Sequence, residues 1–170
     1  YWHCDRLGML VWQDMPSIAD NSTNVWDNRT YENGTDTPVT DEGKANYYKE
    51  WGEIINAFKG FPCIVSWVPF NEAWGQFDTE DVVKFTREQD PTRLINYASG
   101  GNFVKCSADI LDLHNYPDPE MYLYDPEYIN VLGEYGGIGL PLEGHLWQTD
   151  KNWGYVQYKS GEEVLDTYEK

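Results

Sequence analysis

The run Ile64-Val65-Ser66-Trp67-Val68 is almost continuously apolar and ends abruptly in Pro69-Phe70-Asn71-Glu72. A short apolar run of this kind fits a strand buried on both faces, as in parallel sheets. Such a strand delivers whatever follows it to the C-terminal edge of the sheet, where parallel α/β folds carry their chemistry. Here an amide and a carboxylate follow. The arrangement recurs where Ile129-Asn130-Val131-Leu132-Gly133 runs into Glu134-Tyr135-Gly136-Gly137. Two carboxylates, each at the exit of a strand expected to be buried, imply paired acid–base work on one face.

The segments between these strands alternate in period. Tyr1 to Leu7 reads as the end of a helix closed by Gly8, and Met9 to Met15 as a short buried strand that carries Asp14 to its exit. Ser17 to Thr40 is a long loop rich in Asn, Asp, Thr and Gly. From Asp41 to Lys59, Tyr47, Tyr48, Trp51, Ile54, Ile55 and Phe58 share one helical face. A second helix starts at Asp78 or Thr79, has Val82, Val83 and Phe85 toward the sheet, and ends at Asp90-Pro91. Strands follow at Leu94–Ala98 and Asp109–Tyr116, with Ser99-Gly100-Gly101 turning away between them. That connection is too short for a crossover helix. Asp118 to Tyr128 reads as turns or a short helix, and Gly136 to Tyr158 as a loop rich in glycine and aromatics. Ser160-x-x-Glu163 is a capping box before a last helix. Five strands alternating with helical connections define an α/β chain, and 170 residues suit one domain.

Composition removes several classes of function. The net charge of −17, from 12 basic against 29 acidic residues, argues against nucleic acid and anionic membranes as partners. The three cysteines, Cys4, Cys63 and Cys106, form neither a disulfide framework nor a zinc motif, and buried free thiols are expected. There is no phosphate loop or dinucleotide fingerprint, and the chemistry of a carboxylate pair requires no metal or organic cofactor. Sequons at Asn21, Asn28 and Asn33, and a calcium site from Asp20, Asp27 and Asp36, are the weak signals of the long loop. The 8 Trp and 13 Tyr provide both core and flat platforms for a ring-shaped ligand.

Four blocks, in this order, resemble one family. Val68-Pro69-Phe70-Asn71-Glu72 is similar to the acid/base motif on strand 4 of retaining glycosidases built on TIM barrels, and Leu132-Gly133-Glu134-Tyr135-Gly136-Gly137 to their strand 7 nucleophile motif. With Cys4 to Pro16 and Asp112-Leu113-His114-Asn115-Tyr116-Pro117, the chain resembles glycoside hydrolase family 2, the β-galactosidase/β-glucuronidase/β-mannosidase family.

The resemblance implies a (β/α)₈ barrel, of which this single domain would span about strands 3 to 7. It implies Glu72 as general acid/base, Glu134 as nucleophile, and Asn71 on the 2-hydroxyl of the sugar. Tyr116 would bond the nucleophile, Asp14, His114 and Asn115 would line the subsite, and Trp74 and Trp147 would form its aromatic walls. A carbohydrate is the implied partner, together with missing domains of a parent chain, without which the piece is expected to turn over poorly or not at all. Secretion or a bacterial periplasm is the expected location. The competing readings are a non-catalytic sugar-binding module and an endo-β-glucanase on the same barrel.

Overall fold

The computed structural model describes residues 1–18, 30–148 and 151–170. Trp2–Leu7 (α1) closes on Gly8 in the left-handed region at φ 70° and leads into Val11–Asp14 (β1). Asp41–Phe58 (α2), Ile64–Val68 (β2) and Thr79–Gln89 (α3) follow, then Leu94–Ile95 (β3), Ile110–Asn115 (β4) and Ile129–Tyr135 (β5). Ile138–Gly139 (β6), Val156–Gln157 (β7) and Gly161–Tyr168 (α4) complete the order.

Every ladder is parallel. β1, β2 and β3 form one sheet, and β4 pairs with β5. A parallel bridge between Asn96 and Ile110 joins the two sets, so the order runs continuously from β1 to β5. Parallel strands require crossovers, and α2 and α3 supply them around β2. Among the described residues the strands do not close on themselves, and β1 and β5 each have one ladder partner.

The core forms where α2 and α3 cover β2. Tyr47, Trp51 and Ile55, spaced by four, are buried on one face of α2. Trp51 meets Trp67 of β2 edge to face, with ring centroids 5.7 Å apart. Both indole nitrogens find acceptors: Trp51 donates to Thr86 Oγ1 at 2.9 Å, and Trp67 to Asp90 Oδ2 at 3.1 Å. Two large rings are therefore buried without leaving a polar atom unpaired. Val82 and Val83 are buried as expected, whereas Phe85 packs on Tyr48 of α2 rather than on the sheet.

Several expectations are corrected. β2 is buried except for the half-buried Val65, but β5 is exposed or half-buried throughout, and β1 alternates between half-buried and exposed residues. An apolar run does not reveal how many neighbours its strand has, and among the described residues β1 and β5 each have one. Asp78 stands at the start of α3 but does not cap it; at φ 40° it pairs with Lys44 at 2.6 Å. The cap is Asp36, whose carboxylate accepts from the Thr79 amide at 3.3 Å and from the Thr79 hydroxyl. Asp36 thus anchors the helix, and the other residues weighed for calcium, Asp20 and Asp27, lie outside the described residues with Asn21 and Asn28. Ser160 caps α4 as the motif implies, accepting from Glu163 N at 3.2 Å, while Glu163 Oε2 accepts from Lys159 N at 2.8 Å. The glycine- and aromatic-rich loop contains the parallel pair β6 and β7, which the sequence reading missed. Cys63 and Cys106 are buried thiols and Cys4 is partly exposed. No described helix is long and apolar enough to cross a membrane.

Removing the ring at the centre of this core leaves a cavity that rigid neighbours cannot fill. Trp51→Ala is expected to cost about 3 to 5 kcal/mol in urea unfolding, with the Thr86 hydroxyl losing the donor it accepts from while keeping its bond to Val82 O.

Candidate active site

The loop after β2 is fixed by the segment after β3. Glu72 N donates to Ser99 O at 2.7 Å, and Ser99 N donates to Phe70 O at 2.9 Å. This bridge orders Glu72 and Ala73 in the left-handed region, at φ 51° and 62°, which side chains with a Cβ rarely adopt. Ser99-Gly100-Gly101 therefore does not turn away from the strand exits, as its composition implied. It packs under them, and Gly100 is placed so that a Cβ there would meet His114 Nδ1 at 2.5 Å.

The second carboxylate arrives by an irregularity. The β4–β5 register shifts between Leu113 and His114, so that Leu113 pairs with Leu132 but His114 with Glu134. Gly133 is the extra residue of this bulge. Without it His114 would pair with Gly133, and Glu134 would sit one position on. Gly133 also has no Cβ because the space is taken: a Cβ would lie 2.2 Å from Asp112 Oδ1.

These devices bring Glu72, His114 and Glu134 together, with one polar atom of each within 4.8 Å of the others. His114 Nδ1 lies 3.0 Å from Glu72 Oε1 and 3.6 Å from Glu134 Oε2. Tyr116 donates its hydroxyl to Glu134 Oε2 and stacks on Tyr155, with centroids 4.3 Å apart. The side chain of His114 is 7% exposed, that of Glu72 24% and that of Glu134 43%. Because Nδ1 is engaged by Glu72 and Glu134 by Tyr116, the trio is a hydrogen-bonded array rather than a set of free ligands.

Electrostatics follow from the crowding. Asp14 is exposed as a residue at the end of β1, yet its carboxyl is partly desolvated, and that, aided by the charges of Glu134 and Asp112 and opposed by His114, pushes it up to about 6. Burial pulls His114 down, but its hydrogen bond to Glu72 and the charges of Glu134, Asp112 and Glu72 outweigh that, so its net shift is upward from 6.5. Burial and the bond to Glu134 push the Tyr116 phenol up, so it keeps its proton and acts as a donor.

The other expected residues divide. Asn71 lies beside the cluster, bridged to Ser99, and its buried Oδ1 has no partner among the described residues. Trp74 is half-buried against Ala73 and Phe103. Asn115 is not turned to the pair; its amide donates to Asp118 O at 2.6 Å in the turn after β4. Trp147 is 98% exposed and forms no wall. Sequence reasoning missed Ser99 and Asp112. Asp112 is fully buried and accepts from Asn96 Nδ2 at 2.8 Å, Ser99 Oγ at 2.6 Å and Gly133 N at 2.7 Å. Its signal was legible as a lone carboxylate inside the apolar run Ile110 to Leu113.

The parallel α/β sheet thus brings two carboxylates together at its strand exits. The family model of glycosyl hydrolases family 2, TIM barrel domain, matches residues 1–134, and the chain belongs to that family. It is thus a glycosidase domain with a carbohydrate substrate, and its fold class is the TIM barrel. The matched span ends at Glu134 and includes Asp14, Asn71, Glu72, His114 and Tyr116. Comparison with curated proteins returned no match.

The upward shift of Asp14 has a defined sign. The folded state holds the proton more tightly than the unfolded chain, so stability falls as pH rises from 3.8 toward about 6. Asp14→Asn is expected to be more stable than the parent at pH 7, by a modest amount because the carboxyl is partly solvated. The gain should vanish below pH 3.8 in a thermal unfolding series.

Proposed function

We propose that this domain is the catalytic part of a retaining, β-galactosidase-like glycosidase that removes terminal sugars from O-glycosides by double displacement. β1 to β5 would then be strands 3 to 7 of the barrel. The observation that carries this reading is the closeness of Glu72 and Glu134, whose nearest oxygens fall within 4.8 Å through the cluster with His114. Retaining enzymes hold their carboxyl groups about 5–5.5 Å apart, and inverting ones about 6.5–9.5 Å, leaving room for a water.

In the first step a Glu134 oxygen attacks the anomeric carbon while Glu72 gives its proton to the departing glycosidic oxygen. In the second, Glu72 as carboxylate takes a proton from water, the water oxygen attacks the same carbon, and Glu134 leaves. Tyr116 orients Glu134 through its hydroxyl, which suits a nucleophile that must present one oxygen at a fixed angle. Asn71, next to Glu72 at the same strand exit, would bond a sugar hydroxyl, and Asp14, whose carboxyl feels the charge of Glu134, borders the same space.

A 2-deoxy-2-fluoro glycoside with a good leaving group traps such an intermediate. In the intact native protein, peptide mapping should place the adduct on Glu134, and Glu134→Gln should abolish it. Glu72→Ala should lose about 10²–10⁴ in kcat on poor leaving groups while still forming the adduct. An adduct on Glu72, or inversion at the anomeric centre by NMR, would overturn the assignment. Sugar binding with no turnover in the parent would favour a binding module.

A further inference from the structure

Behind the carboxylate pair lies a set of polar contacts that the two-step reaction does not require. Ser99 Oγ sits 2.6 Å from Asp112 Oδ2 and 2.8 Å from His114 Nε2. A hydroxyl has one proton to give and two lone pairs. Asp112 is an acceptor toward both of its other partners, Asn96 Nδ2 and Gly133 N, so the Ser99 proton belongs to Asp112. The hydroxyl oxygen can then only accept, and the ring nitrogen facing it must carry hydrogen. His114 is thereby set with its proton on Nε2.

The other edge of the ring follows from this. Nδ1 lies 3.0 Å from Glu72 Oε1. A bare nitrogen against a bare carboxylate oxygen would set two lone pairs face to face, so one proton lies between them. We infer that Ser99, anchored by Asp112, is a positioning residue for the acid: it sets His114 with Nδ1 facing Glu72, so that imidazole and carboxyl share one proton. This rests on the reading of Glu72 as acid/base.

The surroundings of the ring support the arrangement from every side. Glu72 faces it from the exit of β2, Ser99 from the segment after β3, and Asp112 from its own strand, with Oδ2 3.9 Å from Nε2. Glu134 faces it from β5 at 3.6 Å, Tyr116 edge-on with centroids 6.4 Å apart, and the charge of Asp14 reaches it from the end of β1. Every acidic group named favours a proton on the ring, and Ser99 alone dictates which nitrogen is committed.

Histidine labelled with ¹⁵N in the full chain reads the tautomer directly. The chain has 3 His; the exposed His3 and His145 serve as internal references, and near-UV circular dichroism reports on folding in each variant. His114 should show hydrogen on Nε2 at neutral pH and a midpoint above 6.5. In Ser99→Ala the midpoint should fall by about half to one pH unit, the size of one net hydrogen bond, and the Nδ1–H tautomer should appear. Ser99→Thr, which keeps the hydroxyl, should restore both. Hydrogen on Nδ1 with a bare Nε2 in the parent, or a Ser99→Ala spectrum unchanged at His114, would overturn the inference.

Kinetics in the intact native protein supplies the second arm. Ser99→Ala should reduce kcat on alkyl glycosides about tenfold more than on dinitrophenyl glycosides, whose leaving group needs no proton. Equal losses on both would remove the positioning role. A parent with no glycosidase activity would sink the proposed function, while the tautomer would still decide whether the relay exists.

Discussion

One buried charge organises the strand exits. Asp112 lies in the middle of β4 with no access to solvent, and a carboxylate there is tolerated only if donors replace its lost water. Three do: the amide side chain of Asn96, the hydroxyl of Ser99 and the backbone of Gly133. These donors come from the segment after β3 and from β5, so satisfying one charge fixes β4 against both neighbours. Its backbone carbonyl is used in the same way, accepting from Gly100 N at 3.0 Å and Asn102 Nδ2 at 2.7 Å. The segment that supports Glu72 from below is thus held by the residue that fixes the strand carrying Glu134.

The aromatic core and the polar cluster divide the work of the fold. Tyr47, Trp51 and Trp67 fill the space between α2 and β2, and the Tyr47 hydroxyl donates to Pro69 O at the point where β2 ends. Non-directional burial brings the helices onto the sheet. Hydrogen bonds then decide the direction in which the chain leaves it. The bulge at Gly133 belongs to the second kind of device, since it moves the register by one residue at a point fixed by the hydrogen bond from Gly133 N to Asp112.

Legibility in the sequence followed the same division. The helix over Asp41–Phe58 and the strand over Ile64–Val68 were readable because burial leaves a period or an apolar run. The roles expected of Glu72, Glu134 and Tyr116 came from blocks of residues, and the three do converge. What stayed hidden depends on pairing between distant segments. Nothing local in Ser99-Gly100-Gly101 shows that it meets Ala73 and His114 rather than solvent. Nothing in Ile129 to Gly133 tells that β5 has one neighbour among the described residues. Asn115 was placed in the subsite with His114 by the resemblance of their block, although neighbouring residues in a strand point to opposite faces. Asp36 was weighed as a metal ligand because its partner, the amide of Thr79, lies 43 residues away.

The left-handed backbone at Glu72 and Ala73 has a consequence for how such a chain changes over generations. Two consecutive residues with a Cβ are held where each costs roughly 1–2 kcal/mol relative to a relaxed turn. Gly or Asn at either position would release that energy. Under selection for stability alone the motif would drift toward those residues, and the carboxylate would be among the first groups lost. Its retention in a lineage is therefore a record of demand for the reaction itself, and loss of the reaction should leave its earliest mark at these two positions.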